Sequence, residues 1–320
     1  MASLIEDSIY EIICKHSYTF LKKKNVIGIG LGYKFIKGFD TGEPSLHILV
    51  KDKINLNNLY KNDRIEKSFF GIKTDVIKIG EFKESNSLKG LPLTPSKFQS
   101  KVRPIRAGYS ISATKGKYAG TIGAVVFSNE KNKPCILSNN HVLTYNNTLG
   151  KGTSIIQPGG KDSKISSENK IAKVQKLIKL KFFNGLKITS VEDYPVNYVD
   201  CAIAKINSKI EYDTTIERIG VINNTIMPEV NMPIRKIGRS TAYTTGRIRT
   251  IKAIVLLSYA NGDCFFKDQI LATNMSKVGD SGALVLGKNN NVVGLLNGNS
   301  EDATFINPID PVLKLLNIHF

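Results

Sequence analysis

No run in the 320 residues approaches the roughly 18 consecutive apolar residues that a membrane-crossing helix needs. A secretory leader is missing too: Glu6, Asp7 and Glu11 precede the basic cluster Lys22-Lys23-Lys24, whereas a signal peptide runs basic first and then apolar. The expectation is a cytoplasmic protein. Cysteine is scarce, with Cys14, Cys135, Cys201 and Cys264 far apart, no CxxC pair and no Cys/His spacing suited to zinc. That excludes a disulfide framework and a structural zinc site, and leaves buried thiols in a reducing compartment. Histidine is as scarce, at four residues. Internal repeats and low-complexity tracts are absent.

Acid is in short supply relative to base, giving a formal net charge of +18. A basic surface attracts phosphate, yet the lysines are spread along the chain. Residues 1–90 hold 15 basic and 11 acidic side chains, and the remainder 30 and 16. Without a basic arm, specific nucleic-acid binding is not expected.

What is present divides into two textures. Residues 4–21 place Leu4, Ile5, Ile9, Ile12, Ile13 and Phe20 at helical spacing. Strand-like runs follow at 25–37, 45–53 and 71–79, the first two separated by the turn-rich Gly-Phe-Asp-Thr-Gly-Glu-Pro, so residues 1–90 read as a small α/β domain. Residues 91–107 fall in a Ser-, Pro- and Lys-rich stretch that reads as a linker or an extended segment over a surface. From about residue 108 short β-branched runs alternate with glycine, which predicts an all-β barrel or sandwich. The polar stretch 145–190 predicts loops with strands between two β units, and 310–318 a short C-terminal helix. Gly28, Gly30 and Gly32 do not make a dinucleotide fingerprint: Tyr33 occupies the third glycine's place and no helix pattern follows. Glycines in a strand packed closely on a neighbour are the expectation.

Three segments carry chemistry. Gly279-Asp280-Ser281-Gly282 sets a hydroxyl between two glycines that allow a sharp turn, and the N–H groups of Gly279 and Ser281 can point into one oxyanion cavity. On its own it is equally a surface turn. Ser138-Asn139-Asn140-His141 ends an apolar strand in a polar turn, and among the histidines only His141 lies at such a strand end. Asp200 opens the alternating strand that continues through Cys201-Ala202-Ile203, where an acid would ordinarily cap a turn but can also hold and charge-stabilise an imidazole.

Together these segments resemble the chymotrypsin/trypsin-like serine proteases, in the order His, Asp, Ser with gaps of 59 and about 80 residues. The Ser-Asn-Asn-His segment is similar to bacterial members and to the trypsin-like proteins related to plant Narrow-Leaf proteases. The resemblance covers residues 108–320. It implies a mainly β, chymotrypsin-like double barrel with His141, Asp200 and Ser281 as the catalytic triad in the cleft between barrels. Ile237-Gly238-Arg239-Ser240-Thr241 is similar to the Gly-Arg segment of bacterial enzymes such as α-lytic protease, in which the arginine pairs with the aspartate before the nucleophile. That implies Arg239 holding Asp280 and shaping the oxyanion hole in an uncut chain. By the same resemblance Met275 takes the place of the acidic specificity residue of trypsin. A neutral side chain at P1 follows, with Asp268 or Glu301 as the acids to suspect otherwise. Leu296, Asn297 and Gly298 correspond to the edge that pairs with an extended substrate.

The reading is a serine endopeptidase acting by acyl transfer on polypeptide, with no metal or organic cofactor and no membrane partner. The runner-up is a protease-fold peptide-binding module with little or no turnover.

Overall fold

The computed structural model describes residues 4–82, 97–114, 118–184 and 194–320. Helix α1 (Leu4–Leu21) forms over the expected segment, burying Ile9, Ile12, Ile13 and Phe20 along one stripe. It lies against β1 (Val26–Ile36) and β2 (Phe39–Val50), and β3 (Ser68–Phe69) and β4 (Ile72–Lys78) complete this α/β portion. Lys37 and Gly38 adopt φ of 49° and 85°, and Ile36 pairs directly with Phe39. Two consecutive left-handed residues make the tight hairpin whose twist matches that of its strands. Strand β2 therefore begins inside the segment whose composition signals a turn.

The first β unit contains β5 (Ile105–Ala107), β6 (Ser110–Ala113), β7 (Gly120–Thr121), β8 (Ala124–Ser128) and β9 (Pro134–Ser138). Its short helix α2 (Asn140–Thr144) is followed by β10 (Ser154–Ile156), β11 (Lys170–Leu177), β13 (Ala202–Ile206) and β14 (Tyr212–Ile216), with β12 (Val196–Asn197) before β13 crossing to the sheet of the second unit. The second unit contains β15 (Pro233–Gly238), β16 (Ala242–Tyr259), β17 (Gly262–Thr273), β18 (Leu284–Leu286), β19 (Val292–Asn299) and β20 (Ala303–Pro308). Helix α3 (Ile309–Leu316) and β21 (Ile318–His319) end the chain, and β21 returns to pair with β8 of the first unit.

Among the described residues an eight-stranded sheet runs β21-β8-β9-β13-β11-β10-β6-β7. A second, eleven-stranded sheet runs β12-β17-β20-β19-β18-β15-β16-β1-β2-β4-β3. The fold is mainly β, with the chymotrypsin-like pair of β units expected. Its N-terminal α/β portion is joined to the second unit by continuous sheet: β1 lies between β2 and β16, with Gly28 opposite Val255 and Gly32 opposite Thr250. The β1 glycines explain the closeness. A Cβ on Gly30 would lie 2.3 Å from Thr250 Cγ2, and one on Gly32 would lie 2.0 Å from the His47 ring.

The linker expected at 91–107 differs in its described part. Phe98, Ile105 and Ala107 are buried in the core of the first unit, Phe98 packs on Tyr109 at 5.0 Å, and β5 pairs with β14. Three apolar anchors among polar residues are too few to show a period, so composition alone mistakes this segment. Residues 91–96 lie outside the described residues. Cys135, Cys201 and Cys264 are buried and Cys14 is half-buried. Among the described residues no helix is long and apolar enough to cross a membrane.

Candidate active site

The strand β9 ends at Ser138, and each polar residue after it secures the turn that presents His141. Ser138 Oγ donates to the Thr121 carbonyl at 2.8 Å, and Asn139 Nδ2 to the Asp200 carbonyl at 2.7 Å. Asn140 Nδ2 donates to the Ile178 carbonyl at 2.7 Å while its Oδ1 accepts from Thr144 Oγ1 at 2.7 Å. All of these groups are buried, where an unmet polar group costs free energy, so the partners fix one geometry.

Asp200 is fully buried and binds His141 twice. Its Oδ2 accepts from His141 Nδ1 at 2.6 Å and its Oδ1 from the His141 backbone N–H at 3.1 Å. An ionised carboxylate only accepts, so Nδ1 carries a proton and the neutral ring keeps its lone pair on Nε2. The Asp200 N–H donates to Asn307 Oδ1 at 2.8 Å, and Asn307 Nδ2 donates in turn to Gln269 Oε1 at 2.6 Å. Residues of the second unit thus hold the acid of the first.

Ser281 sits on the turn between β17 and β18, across from the end of β9. Gly279 and Gly282 adopt φ of 100° and 91°, which only glycine takes without strain. A Cβ on Gly282 would lie 2.1 Å from Ser138 Oγ, three residues before His141. The β7 residue Thr121 clamps the turn from the first unit: its N–H donates to the Ser281 carbonyl at 2.8 Å and its Oγ1 to the Gly279 carbonyl at 2.9 Å. The N–H groups of Asp280, Gly282 and Ala283 bond to Lys277, Leu296 and Asp280 carbonyls. Gly279 N–H meets no acceptor among the described residues.

The expected pairing of Arg239 with Asp280 is not what the structure holds. The buried cation on Asp280 Oδ2 is Lys236, at 3.1 Å. The same carboxylate accepts from Ser240 N–H at 2.8 Å, Thr241 Oγ1 at 2.6 Å and Lys277 N–H at 3.0 Å. Strand periodicity explains the exchange. Ile234, Lys236 and Gly238 share one face of β15, toward the interior of the second unit, and Asp280 Oδ1 lies 2.5 Å from where a Gly238 Cβ would stand. Ile237 and Arg239 face the other way, toward the first unit, where Ile237 joins the first core. Arg239 there binds Asp162 through two parallel bonds, Nε to Oδ2 at 2.7 Å and Nη2 to Oδ1. The arginine nevertheless backs the same turn, since a Gly279 Cβ would meet its Nη1 at 2.7 Å. Burial pulls the Lys236 ammonium below the ordinary lysine range, and the Asp280 charge opposes that pull. The phase of Lys236 with Ile234 was the available signal in the sequence.

The expected substrate contacts also shift. Met275 is buried among Ile234, Ile248 and Ile270, with its N–H on Thr304 Oγ1 at 3.0 Å, so its side chain packs into the core of the second unit. Leu296 has both backbone groups engaged, its N–H with Ala283 and its carbonyl with Gly282, so it offers no edge to a peptide. Asn297 is buried beside the Asp200 carboxylate through Tyr259, whose hydroxyl lies 3.2 Å from Asn297 Oδ1. Gly298 is approached by Phe82, whose Cε2 is 2.3 Å from a notional Cβ. Asp268 bonds the Tyr10 hydroxyl at 3.1 Å, beside α1. Sequence reasoning missed Lys236, Asp162, Thr121, Tyr259 and Asn307, single residues within strands and loops that carry no local motif.

Among the described residues no group of His, Cys, Asp and Glu is arranged to hold a metal ion.

Solved structures of similar shape include protease A of Thermobifida fusca, at 17% identity and TM-score 0.46 over 67% of this chain and 97% of that one. Cellulomonas bogoriensis chymotrypsin is similar at 15% identity and TM-score 0.45, over 68% and 97%. A Nocardiopsis protease is similar at 15% identity and TM-score 0.45, over 67% and 97%. No curated protein matches the chain. The sequence pattern of Peptidase family S64 matches residues 114–299, more than half of the chain and all three segments of the site. The protein therefore belongs to peptidase family S64.

Proposed function

We propose that the protein is a serine endopeptidase with His141, Asp200 and Ser281 as its triad. The observation that carries this reading is the buried pair of His141 Nδ1 and Asp200 Oδ2 at 2.6 Å, together with Ser281 on a turn of positive-φ glycines whose Gly282 packs against Ser138, three residues before the histidine. With Nδ1–H committed to Asp200, Nε2 takes the Ser281 proton as Oγ attacks a peptide carbonyl, and the carbonyl π-bond pair becomes the oxyanion. The N–H groups of Gly279 and Ser281 receive that oxyanion. His141 then gives the proton to the departing amine, leaving an acyl-enzyme. Water deprotonated by the same imidazole releases the acid and restores the hydroxyl. Asp200 stabilises the imidazolium at each transfer without itself being protonated.

In this reading Lys236 of β15 and Arg239 just past its end, pointing in opposite directions, keep the oxyanion turn in place in an uncut chain. The substrate is polypeptide, and neither nucleic acid nor membrane is a partner. The protein acts in the cytoplasm, and Ser138-Asn139-Asn140-His141 sets it near bacterial Narrow-Leaf-type proteases. The test is cleavage of an unbiased peptide library by the wild-type chain beside Ser281→Ala. Internal cuts that vanish in the alanine variant, by several orders of magnitude in rate, are the expected result. Equal cutting by both would remove Ser281 from the mechanism.

A further inference from the structure

We infer that Tyr259 is a positioning residue for the acid–base pair, donating its hydroxyl to Asp200 and so tuning the basicity of His141. This rests on the reading of His141 and Asp200 as the catalytic pair. Tyr259 ends β16 and is nearly buried, and its hydroxyl lies 3.3 Å from Asp200 Oδ2, the oxygen that also accepts from His141 Nδ1. Its ring stands 6.2 Å from the imidazole and is packed by Phe82 at 5.4 Å, Phe182 at 6.0 Å and Phe266 at 6.1 Å. Aromatic walls on several sides leave the ring little freedom, so the hydroxyl is aimed rather than wandering.

The neighbouring amide decides which way the phenol proton points. With Asn297 Oδ1 toward the hydroxyl at 3.2 Å, the phenol has two acceptors and one proton, and the buried Asn297 Nδ2 has no partner at all. The other amide orientation has the same shape and turns Nδ2 to the phenol oxygen, which meets the orphaned donor. The phenol proton is then directed to Asp200 Oδ2. The result is a directed chain, Asn297 to Tyr259 to Asp200, with His141 donating to the same oxygen from the other side.

The consequence is chemical. A proton donated to Asp200 withdraws negative charge from the oxygen that attracts the imidazolium, so the tyrosine holds His141 less basic than an unshared carboxylate would. Among the described residues, titratable groups facing this pair include Tyr259 and Cys201. Burial and the Asp200 charge push the Cys201 thiol well above its ordinary range, so it stays neutral. Tyr118 donates to the backbone carbonyls of His141 and Val142, at 3.1 and 3.0 Å.

Tyr259→Phe removes the oxygen and keeps the ring. Two measurements test it: the protonation midpoint of His141 by histidine NMR in the Ser281→Ala background, and the pH dependence of fluorophosphonate labelling in the active chain. The expected results are an upward midpoint shift on the order of half a unit and labelling about three-fold slower below that midpoint, as the neutral fraction of the imidazole falls. An unchanged midpoint, even with a lowered melting temperature, would reduce Tyr259 to packing and overturn the inference. A shifted midpoint in a protein that the probe never labels would uphold the inference and refute the serine-peptidase reading, so the two fail separately.

Discussion

A residue's role here follows from the face of the strand that carries it. Lys236 in β15 and Arg239 just past its end are three positions apart, and opposite directions send them to Asp280 and Asp162. Both pairs are buried, and a buried pair broken from one side leaves an uncompensated charge costing about 3–5 kcal/mol. Lys236→Met is therefore expected to destabilise the fold by about 3 kcal/mol and to lower activity, because Asp280 no longer anchors the turn. Arg239→Ala and Asp162→Ala should each destabilise, with the double variant little worse than either single one, since each single change already breaks the pair. Denaturant unfolding of the set checks this. Full additivity of the Arg239 and Asp162 changes would mean that the bidentate contact contributes nothing in solution.

At the scale of the element, β1 is the seam between the α/β portion and the second β unit, and His47 is its buried polar rivet. The imidazole Nδ1 lies 2.8 Å from Thr250 Oγ1 of β16, its Nε2 lies 3.0 Å from the Tyr33 carbonyl, and Gly32 leaves room for the ring. Burial lowers its pKa below the ordinary 6.5, with the Tyr33 bond, Asp75 and Asp40 opposing and Lys34 assisting. The unfolded chain then binds more protons than the folded one between the lowered value and 6.5. Stability from this group is full above pH 6.5 and falls as pH drops through the folded value. Melting of the wild-type chain should weaken from neutral to mildly acidic pH, and His47→Gln should flatten that slope. An identical acid slope in both proteins would contradict the assignment.

Across the whole molecule, what could be read from the sequence was what repeats or clusters. The helical stripe from Leu4 to Phe20, the strand alternation after residue 108 and the short Gly-Asp-Ser-Gly turn are local patterns with local causes. The glycines of β1 were legible as close packing because no side chain fits between β1 and its neighbours. Three features were not legible. Sheet continuity between β1 and β16 joins residues more than 200 positions apart and leaves no mark on either segment alone. The partner of Asp280 depended on the phase of one strand, and the resemblance to bacterial enzymes pointed to the wrong neighbour by three residues. Met275 aligned with a specificity position but obeys the demand of the core for an apolar side chain.

The account's central claim is that this uncut chain carries an activated serine at position 281. Incubating the purified 320-residue, 35.3 kDa chain with a fluorophosphonate probe near neutral pH, then mapping the modified peptide, tests it most directly. The account predicts rapid labelling of the intact chain at Ser281, lost in Ser281→Ala and in His141→Ala. No labelling of the folded, uncut chain, or a modification that persists in Ser281→Ala, would contradict it.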